Sequence, residues 1–209
     1  MKSFLFKSKK NFCNNSLKNL SIFKKNITLE NDKIKILPLE EKHFDELSNT
    51  INSESLWTYN LKFYCKNKED VLNYLNKTLL QKDKEERLPF IIYDINLNKI
   101  IGTTSFYNIS IPNKNTSIGY TVIGLDHLRK GYSYHSKNLM LNWCFNEMDF
   151  ERVDFNIDNR NKTSILSVKK MGAIEEGVLR SNFELWNGKR RDTAVLSILR
   201  EEWRNKNKI

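Results

Sequence analysis

The sequence predicts a mixed α/β fold: one domain with a central mixed sheet of about seven strands flanked by helices. Three observations lead there. Short apolar runs, several of them alternating with polar residues and bounded by turns, mark strands. Between them stand longer segments whose apolar residues recur at helical spacing. Their order is strand, two helices, three strands, helix, strand, helix, two strands, which opens antiparallel and carries a strand–helix–strand unit in the middle.

Each element has its own signal. Lys33-Ile-Lys-Ile-Leu-Pro-Leu39 alternates and starts the sheet. Residues 40–52 follow with Phe44, Leu47 and Ile51 at helical spacing, and residues 67–84 repeat the pattern with Val71, Tyr74, Leu75 and Leu79. Pro89 to Ile95, a polar turn at 96–98, and Lys99 to Phe106 read as a hairpin. Ser117 to Ile123 is a fourth strand. A loop closes at Gly131, and Tyr132 to Met148 is a long helix. Arg152 to Ile157 is a fifth strand. Thr163 to Met171 is a short helix with Ile165 and Val168 inward, broken at Gly172. Runs near 173–183 and 193–199 finish the sheet, and there is no internal repeat.

Charge divides the chain. Of the formal net charge of +10, residues 1–29 supply +7 through seven Lys and no acid, leaving +3 for the rest. Residues 1–29 are therefore expected to be a basic, disordered extension, residues 30–204 the domain, and residues 205–209 a tail. An acid-poor, Ser-bearing N-terminus also suits an organelle presequence, although those are Arg-rich and this segment has no Arg. The mildly basic domain lacks the concentrated patch a nucleic-acid groove needs; Lys189-Arg190-Arg191 reads as a solvated turn. No run approaches 18 apolar residues, so no transmembrane helix is expected. Cys13, Cys65 and Cys144 are odd in number and widely spaced. With His43, His127 and His135 they form no metal-ligand pattern. A reduced, cytoplasmic setting, no metal, and a monomer or homodimer are the expectation.

Chemistry concentrates in residues 116–171. A strand enters a Gly-bearing loop and then a helix, whose first-turn N–H groups lack partners within it and suit a phosphate. In "LRKGYSYHS" (128–136), Gly131 permits close backbone approach and Arg129 and Lys130 add charge. Asn161, three residues ahead of Ser164, is equally at home as a helix cap.

Several spaced motifs then carry a resemblance. "NKTSILSVKKMGAIEEGVLR" (161–180), "NGKRRDTAVLSILREEW" (187–203), "IGYTVI" (118–123) and "ESLWTYN" (54–60) stand in the right order for a GNAT-fold acetyltransferase. The chain resembles that family over about residues 29–204, and within it the RimJ/RimL-type branch. The resemblance implies an acetyl-CoA-dependent N-acetyltransferase that moves an acetyl group to a primary amine, either a protein N-terminus or a small molecule. It places pyrophosphate on the backbone of Arg129, Lys130, Gly131, Tyr132 and Ser133. Asn161 would meet the pantetheine arm, Ser164 would protonate the departing thiolate, and a backbone N–H near Val122 would stabilise the thioester oxygen. It implies structural roles for Arg191-Asp192 in the last hairpin and for Glu202-Trp203. Three positions depart from the family: Leu128 and Ser133 stand at the ends of its phosphate loop, and Ser117 replaces a Glu that serves many relatives as a candidate base. The basic extension and altered loop also fit another class, a non-catalytic ribosome- or RNA-associated module on the same scaffold.

Overall fold

A computed structural model describes residues 22–60, 63 and 65–206, and the expectations for residues 1–21 and for Cys13 lie outside them. The strands are β1 (Leu29–Glu30), β2 (Ile34–Pro38), β3 (Arg87–Asp94), β4 (Lys99–Ser110), β5 (Asn115–Ile123), β6 (Arg152–Asp158), β7 (Ile174–Glu184) and β8 (Arg190–Leu199). The helices are α1 (Phe44–Thr50), α2 (Lys68–Asp83), α3 (Tyr132–Asn142), α4 (Lys162–Met171) and α5 (Arg200–Lys206). All eight strands form one sheet in the order β1-β2-β3-β4-β5-β6-β8-β7. Every neighbouring pair is antiparallel except β5–β6, which is parallel.

Helices cover the sheet in two layers. α1 and α2 lie against β3 and β4, burying Leu47, Ile51, Val71 and Leu75 with Ile91 and Ile100. On the opposite face, Leu139, Met140 and Leu141 of α3 and Ile165 and Val168 of α4 pack with Phe90, Ile118, Val153, Phe155 and Leu196. β3 lies between the layers, so its run Leu88-Pro-Phe-Ile-Ile92 is buried without alternation. β6 has a helix on one face only, and it alternates: Val153 and Phe155 are buried, Asp154 and Asn156 less so.

Local chemistry sets the helix ends. α2 opens on a capping box in which Asn67 Oδ1 accepts from the Asp70 N–H at 3.0 Å and Asp70 Oδ2 accepts from the Asn67 N–H. The expected helix over 132–148 is α only as far as Asn142 and widens into a π turn over Trp143–Glu147, which keeps Cys144 and Phe145 buried. α5, a helix the periodicity did not reveal, packs Trp203 against Phe145 and donates its indole N–H to Asn142 Oδ1 at 3.2 Å.

The N-terminal boundary differs from expectation. A 3₁₀ turn at Ile22–Lys24 buries Ile22, and Ile27 joins it in the α3-side core before β1 pairs with β2. The packed chain thus begins by Ile22 rather than at residue 30, and the two-residue β1 is the strand added to the expected seven. The reason is hydrophobic: these two isoleucines fill the edge of the core where β2 meets α3, while the charge pattern that set the boundary says nothing of buried apolar side chains. Ile27→Ala is accordingly expected to cost about 2–5 kcal/mol of unfolding free energy, measured by urea denaturation. An unchanged midpoint would show that the segment does not pack.

Candidate functional site

β5 and β6 share only three register pairs, Asn115↔Arg152, Thr116↔Val153 and Ser117↔Asp154. Beyond Ser117 and Asp154 they part. β6 stays paired with β8 through Asp158, and β5 stays paired with β4 through Ile123, so both sides of the gap are held. A bulge in β5 helps open it: the register with β4 shifts between Thr103 and Ser105, and Tyr120 takes the left-handed region at φ 53°. The Gly124 N–H bonds the Ile101 carbonyl at 3.0 Å, which fixes the alternation of this strand end. Val122 therefore turns its backbone groups toward β4, and those of Thr121 and Ile123 face the gap. The N–H groups near Val122 that face the gap are thus those of Thr121 and Ile123 rather than its own, because pairing direction alternates residue by residue.

The loop that follows β5 ends at the α3 N-terminus. Arg129 at φ 60° and Gly131 at φ 83° are both left-handed, separated by Lys130. Such alternation gathers successive N–H groups into a concavity suited to an anion, and glycine takes this conformation at Gly131 without strain. Lys33 Nζ donates to the Lys130 carbonyl at 2.7 Å and lies 4.7 Å from the Tyr132 ring centroid, tying β2 to the loop. Tyr132 contributes backbone alone: its ring is buried and its hydroxyl donates to Asp94 Oδ2. Burial, then the Asp94 carboxylate, pushes that phenol up to about 12.

Ser133, in the first turn of α3, accepts a bond from Lys137 Nζ one turn on. Lys137 is only 6% exposed and pairs with no carboxylate among the described residues. Burial pulls its ammonium down to about 8. This buried cation beside the α3 N-terminus was not anticipated from the sequence; its signal was a lone Lys among the buried positions of α3.

The other helix at the gap starts from a built turn. Asp158 is 2% exposed and accepts from Arg160 Nε at 2.9 Å and Nη2 at 2.7 Å. Burial alone would raise its carboxyl, but the Arg160 bonds hold it below the usual range. The Asp158 carbonyl accepts from the Asn161 N–H at 2.8 Å. Asn161 then caps α4, its Oδ1 accepting from the Ser164 N–H at 3.1 Å. The Asn-x-x-Ser spacing is thus an N-cap bond, which fixes Ser164 in the first turn of α4. Its hydroxyl makes no hydrogen bond among the described residues.

Polar side chains collect on the face of β4–β6 away from α3 and α4. The Tyr107 ring lies over Gly119, where a Cβ would stand 2.8 Å from Cε1. Its hydroxyl meets Asn156 Nδ2 at 3.3 Å across the gap, and burial raises that phenol. Tyr120 stacks edge-on against Tyr107 at 5.2 Å and beneath the Arg87 guanidinium at 3.8 Å. Arg87 is 2% exposed and bonds Ser105, Thr78 and Tyr74 rather than a carboxylate. At the far end of β6, Glu54, Trp57, Arg160, Leu185, Trp186 and Lys189 line a cleft of about 230 Å³. A larger hollow of about 440 Å³ lies between Leu39 and α2, against none of these groups. The expected site residues fall into two sets around one gap, Arg129–Ser133 at α3 and Asn161 with Ser164 at α4. Asp192 braces the terminal hairpin, its Oδ1 accepting from the Ser181 N–H at 2.7 Å, whereas Arg191 is buried rather than part of a solvated turn and ties β8 to β6, Nη2 donating to the Asn156 carbonyl at 3.1 Å. Among the described residues no cluster of His, Cys, Asp and Glu could hold a metal, and no helix is long and apolar enough to cross a membrane.

Residues 33–174 match the family model of the acetyltransferase (GNAT) domain. The chain belongs to the GNAT acetyltransferase family. This GNAT chain is 30% identical over 118 residues to YjcK of Bacillus subtilis strain 168, named a probable N-acetyltransferase; the match covers 56% of this chain and 64%, under two thirds, of that protein. It is 25% identical over 134 residues to the N-acetyltransferase p20 of Bacillus licheniformis, named as uncharacterized, covering 64% and 72%. A GCN5-related N-acetyltransferase from Brucella melitensis shares the fold at TM-score 0.79 and 23% identity, over 90% of this chain and 86% of that one. The spermidine N-acetyltransferase of Vibrio cholerae, solved in complex with CoA and spermine, does so at TM-score 0.69 and 19% identity, over 84% and 100%.

Lys137 yields a pH prediction. Its folded pKa lies below the unfolded value near 10.4, so the unfolded chain binds more protons between about pH 8 and 10.4, and this residue's destabilising effect is relieved as pH rises through that window. Without ligand, Lys137→Met is expected to be more stable than wild type at pH 7, with the difference narrowing by pH 10. Thermal melts of both proteins across that range check it; a constant difference would show that the ammonium is not buried as described.

Proposed function

We propose that this chain is an acetyl-CoA-dependent N-acetyltransferase that moves the acetyl group to a primary amine by direct attack in a ternary complex. The observation that carries this reading is the gap beyond Ser117 and Asp154, with an anion cradle at its α3 end. An extended arm bearing amides can lie along the backbone edge of Thr121 and Ile123, while its diphosphate rests on the N–H groups of Arg129–Ser133. Lys137 adds positive charge from below, and Arg129 and Lys130 add it from the loop. The Asn161–Ser164 helix start and the Gly188–Asp192 turn support the RimJ/RimL-type branch within the family. The acceptor is a protein N-terminus or a small-molecule amine, and a cytoplasmic setting fits either.

The chain's own groups account for each step. The cradle and the gap hold the thioester, and the open face of β4–β6 admits the amine, so proximity supplies much of the rate. The amine attacks when neutral; an α-amine has a pKa near 8 and loses its proton readily, a Lys amine near 10.4 less so. As the carbonyl oxygen gains charge, an N–H at Thr121 or Ile123 stabilises it. Ser164, whose hydroxyl makes no hydrogen bond among the described residues, donates a proton to the departing sulfur.

Two measurements test the reading. Titration calorimetry should show acetyl-CoA binding to wild type, and Gly131→Asp, which puts a negative charge in the cradle, should weaken it at least about tenfold, roughly 1.4 kcal/mol. Binding as tight as wild type would place the diphosphate elsewhere. Thiol release from acetyl-CoA with spermidine or a Ser-initiated peptide then reports turnover. Ser164→Ala should lower kcat by about 10²-fold, the low end for general acid catalysis because a thiol leaves readily, with acetyl-CoA affinity and Tm nearly unchanged. An unaltered kcat would remove Ser164 from the chemistry.

A further inference from the structure

The acetyl-transfer reading leaves open which group removes the amine proton. We propose that Asp154 is the general base, taking that proton directly or through one water at the point where β5 and β6 separate. The inference rests on the acetyltransferase reading and adds a catalytic residue to it.

Three observations converge on this carboxylate. The first is register. Ser117↔Asp154 is the last pair before the strands part, so these two side chains border the start of the gap. Ser117 offers only a hydroxyl, and its partner on the neighbouring strand, about 4.8 Å away, supplies a carboxylate. The second is facing. Val153 and Phe155 point into the core beneath α3 and α4, so Asp154 points to the other face, where Tyr107, Ser117 and Asn156 gather. That face is the open approach for an amine, since the diphosphate cradle belongs to the α3 side. The third is the state of the carboxylate. Oδ1 is buried and ion-paired with Arg152 Nη2 at 2.5 Å, while Oδ2 makes no hydrogen bond among the described residues and is the oxygen left to take a proton.

The surroundings keep Asp154 in place and tune it. Arg152 is clamped by Glu176 of β7 through Nη1 at 2.5 Å and through Nη2, the nitrogen that also meets Asp154, at 2.7 Å, and Ser197 of β8 donates to Glu176 at 2.7 Å. Burial raises the Asp154 carboxyl, Arg152 opposes that, and Glu176 adds to it, with burial dominant. Ser117 of β5 and Ser197 of β8 are the register partners of Asp154, Tyr107 and Asn156 share its face, and burial keeps Tyr107 protonated. A carboxyl lifted above its ordinary range is a better base for an ammonium than a solvated one.

The step balances without another reactant. The amine lone pair forms the N–C bond to the thioester carbonyl carbon, and an N–H proton passes to an Asp154 oxygen. The intermediate then collapses, the C–S bond breaks with its electron pair on sulfur, and sulfur takes a proton from Ser164, which solvent reprotonates, or directly from water. Asp154 returns its proton to solvent, leaving an amide and free CoA.

The test uses the full chain with acetyl-CoA and either spermidine or a Ser-initiated peptide, following thiol release from pH 5 to 9. If neither amine is turned over, the slow hydrolysis of acetyl-CoA is followed instead, since the same carboxylate would deprotonate attacking water. Asp154→Asn is expected to lower kcat by about 10²-fold or more and to abolish the acid limb of the pH profile, with acetyl-CoA affinity unchanged. Moving the carboxylate across the register, Ser117→Glu in the Asp154→Asn background, is expected to restore at least about a tenth of the rate and the acid limb. Asp154→Glu, which keeps the Arg152 pair, is expected to shift the limb, and it carries the test if Asp154→Asn fails to fold. A kcat within about threefold of wild type with the limb intact in Asp154→Asn, or an unshifted limb in Asp154→Glu, would overturn the assignment. Failure of wild type to bind acetyl-CoA would instead remove the acetyltransferase reading itself.

Discussion

The structure depends on one interrupted pairing. β5 and β6 run parallel for three register pairs and then separate, in a sheet whose other neighbours are all antiparallel. Peptide N–H and C=O groups inside a protein require partners, so a gap between two strands that are each anchored on the far side is a demand for an extended, amide-bearing guest. Packing keeps the gap from closing. β6 is fixed to β8 along its whole length and to the core through Val153 and Phe155, and β5 is fixed to β4 with a bulge at Tyr120. The helices that flank the gap, α3 and α4, both present their N-terminal ends near it, where unsatisfied N–H groups favour negative charge.

Charge follows the same geometry. Cations gather on the α3 side, where Lys33 braces the Arg129–Gly131 loop and Lys137 is buried beneath Ser133. On the opposite face, Asp154 and Glu176 share Arg152, and Arg87 and Arg191 are buried without an ion-paired carboxylate among the described residues. Stripping water from lone cations is costly; Arg87 offsets it with the neutral oxygens of Ser105, Thr78 and Tyr74, whereas Arg191 has the Asn156 carbonyl on Nη2 and a buried Nε without a partner among the described residues. One end of the gap therefore suits an anion, and the other face a neutral amine losing a proton to a carboxylate.

Much of this was legible in the sequence, for reasons that differ by element. Strands and helices with a clean period, such as residues 34–38, 68–83 and 162–171, lie where periodicity put them because one buried face imposes that period. Asn161 and Ser164 were visible because a cap bond requires that spacing. What escaped depends on contacts between distant segments. Ile22 and Ile27 sit in a Lys-rich stretch whose charge masks two buried side chains. α5 is a seven-residue helix held by Trp203 and by Arg200 bonds to Asp149 and Phe150, which no local period reports. The juxtaposition of Ser117 with Asp154 is a matter of cross-strand register, and the side of the strand on which Val122 bonds is a matter of ladder phase; neither can be counted from one chain segment.

If the β5–β6 gap and the α3 loop together receive acetyl-CoA, amide hydrogen exchange with and without acetyl-CoA will report it. Exchange is expected to slow at Thr121 and Ile123, across residues 129–133, and at the first turn of α4 around Ser164, with α2 unaffected. Protection confined to α2 or to the Leu185–Lys189 turn, with 121–133 unchanged, would contradict it.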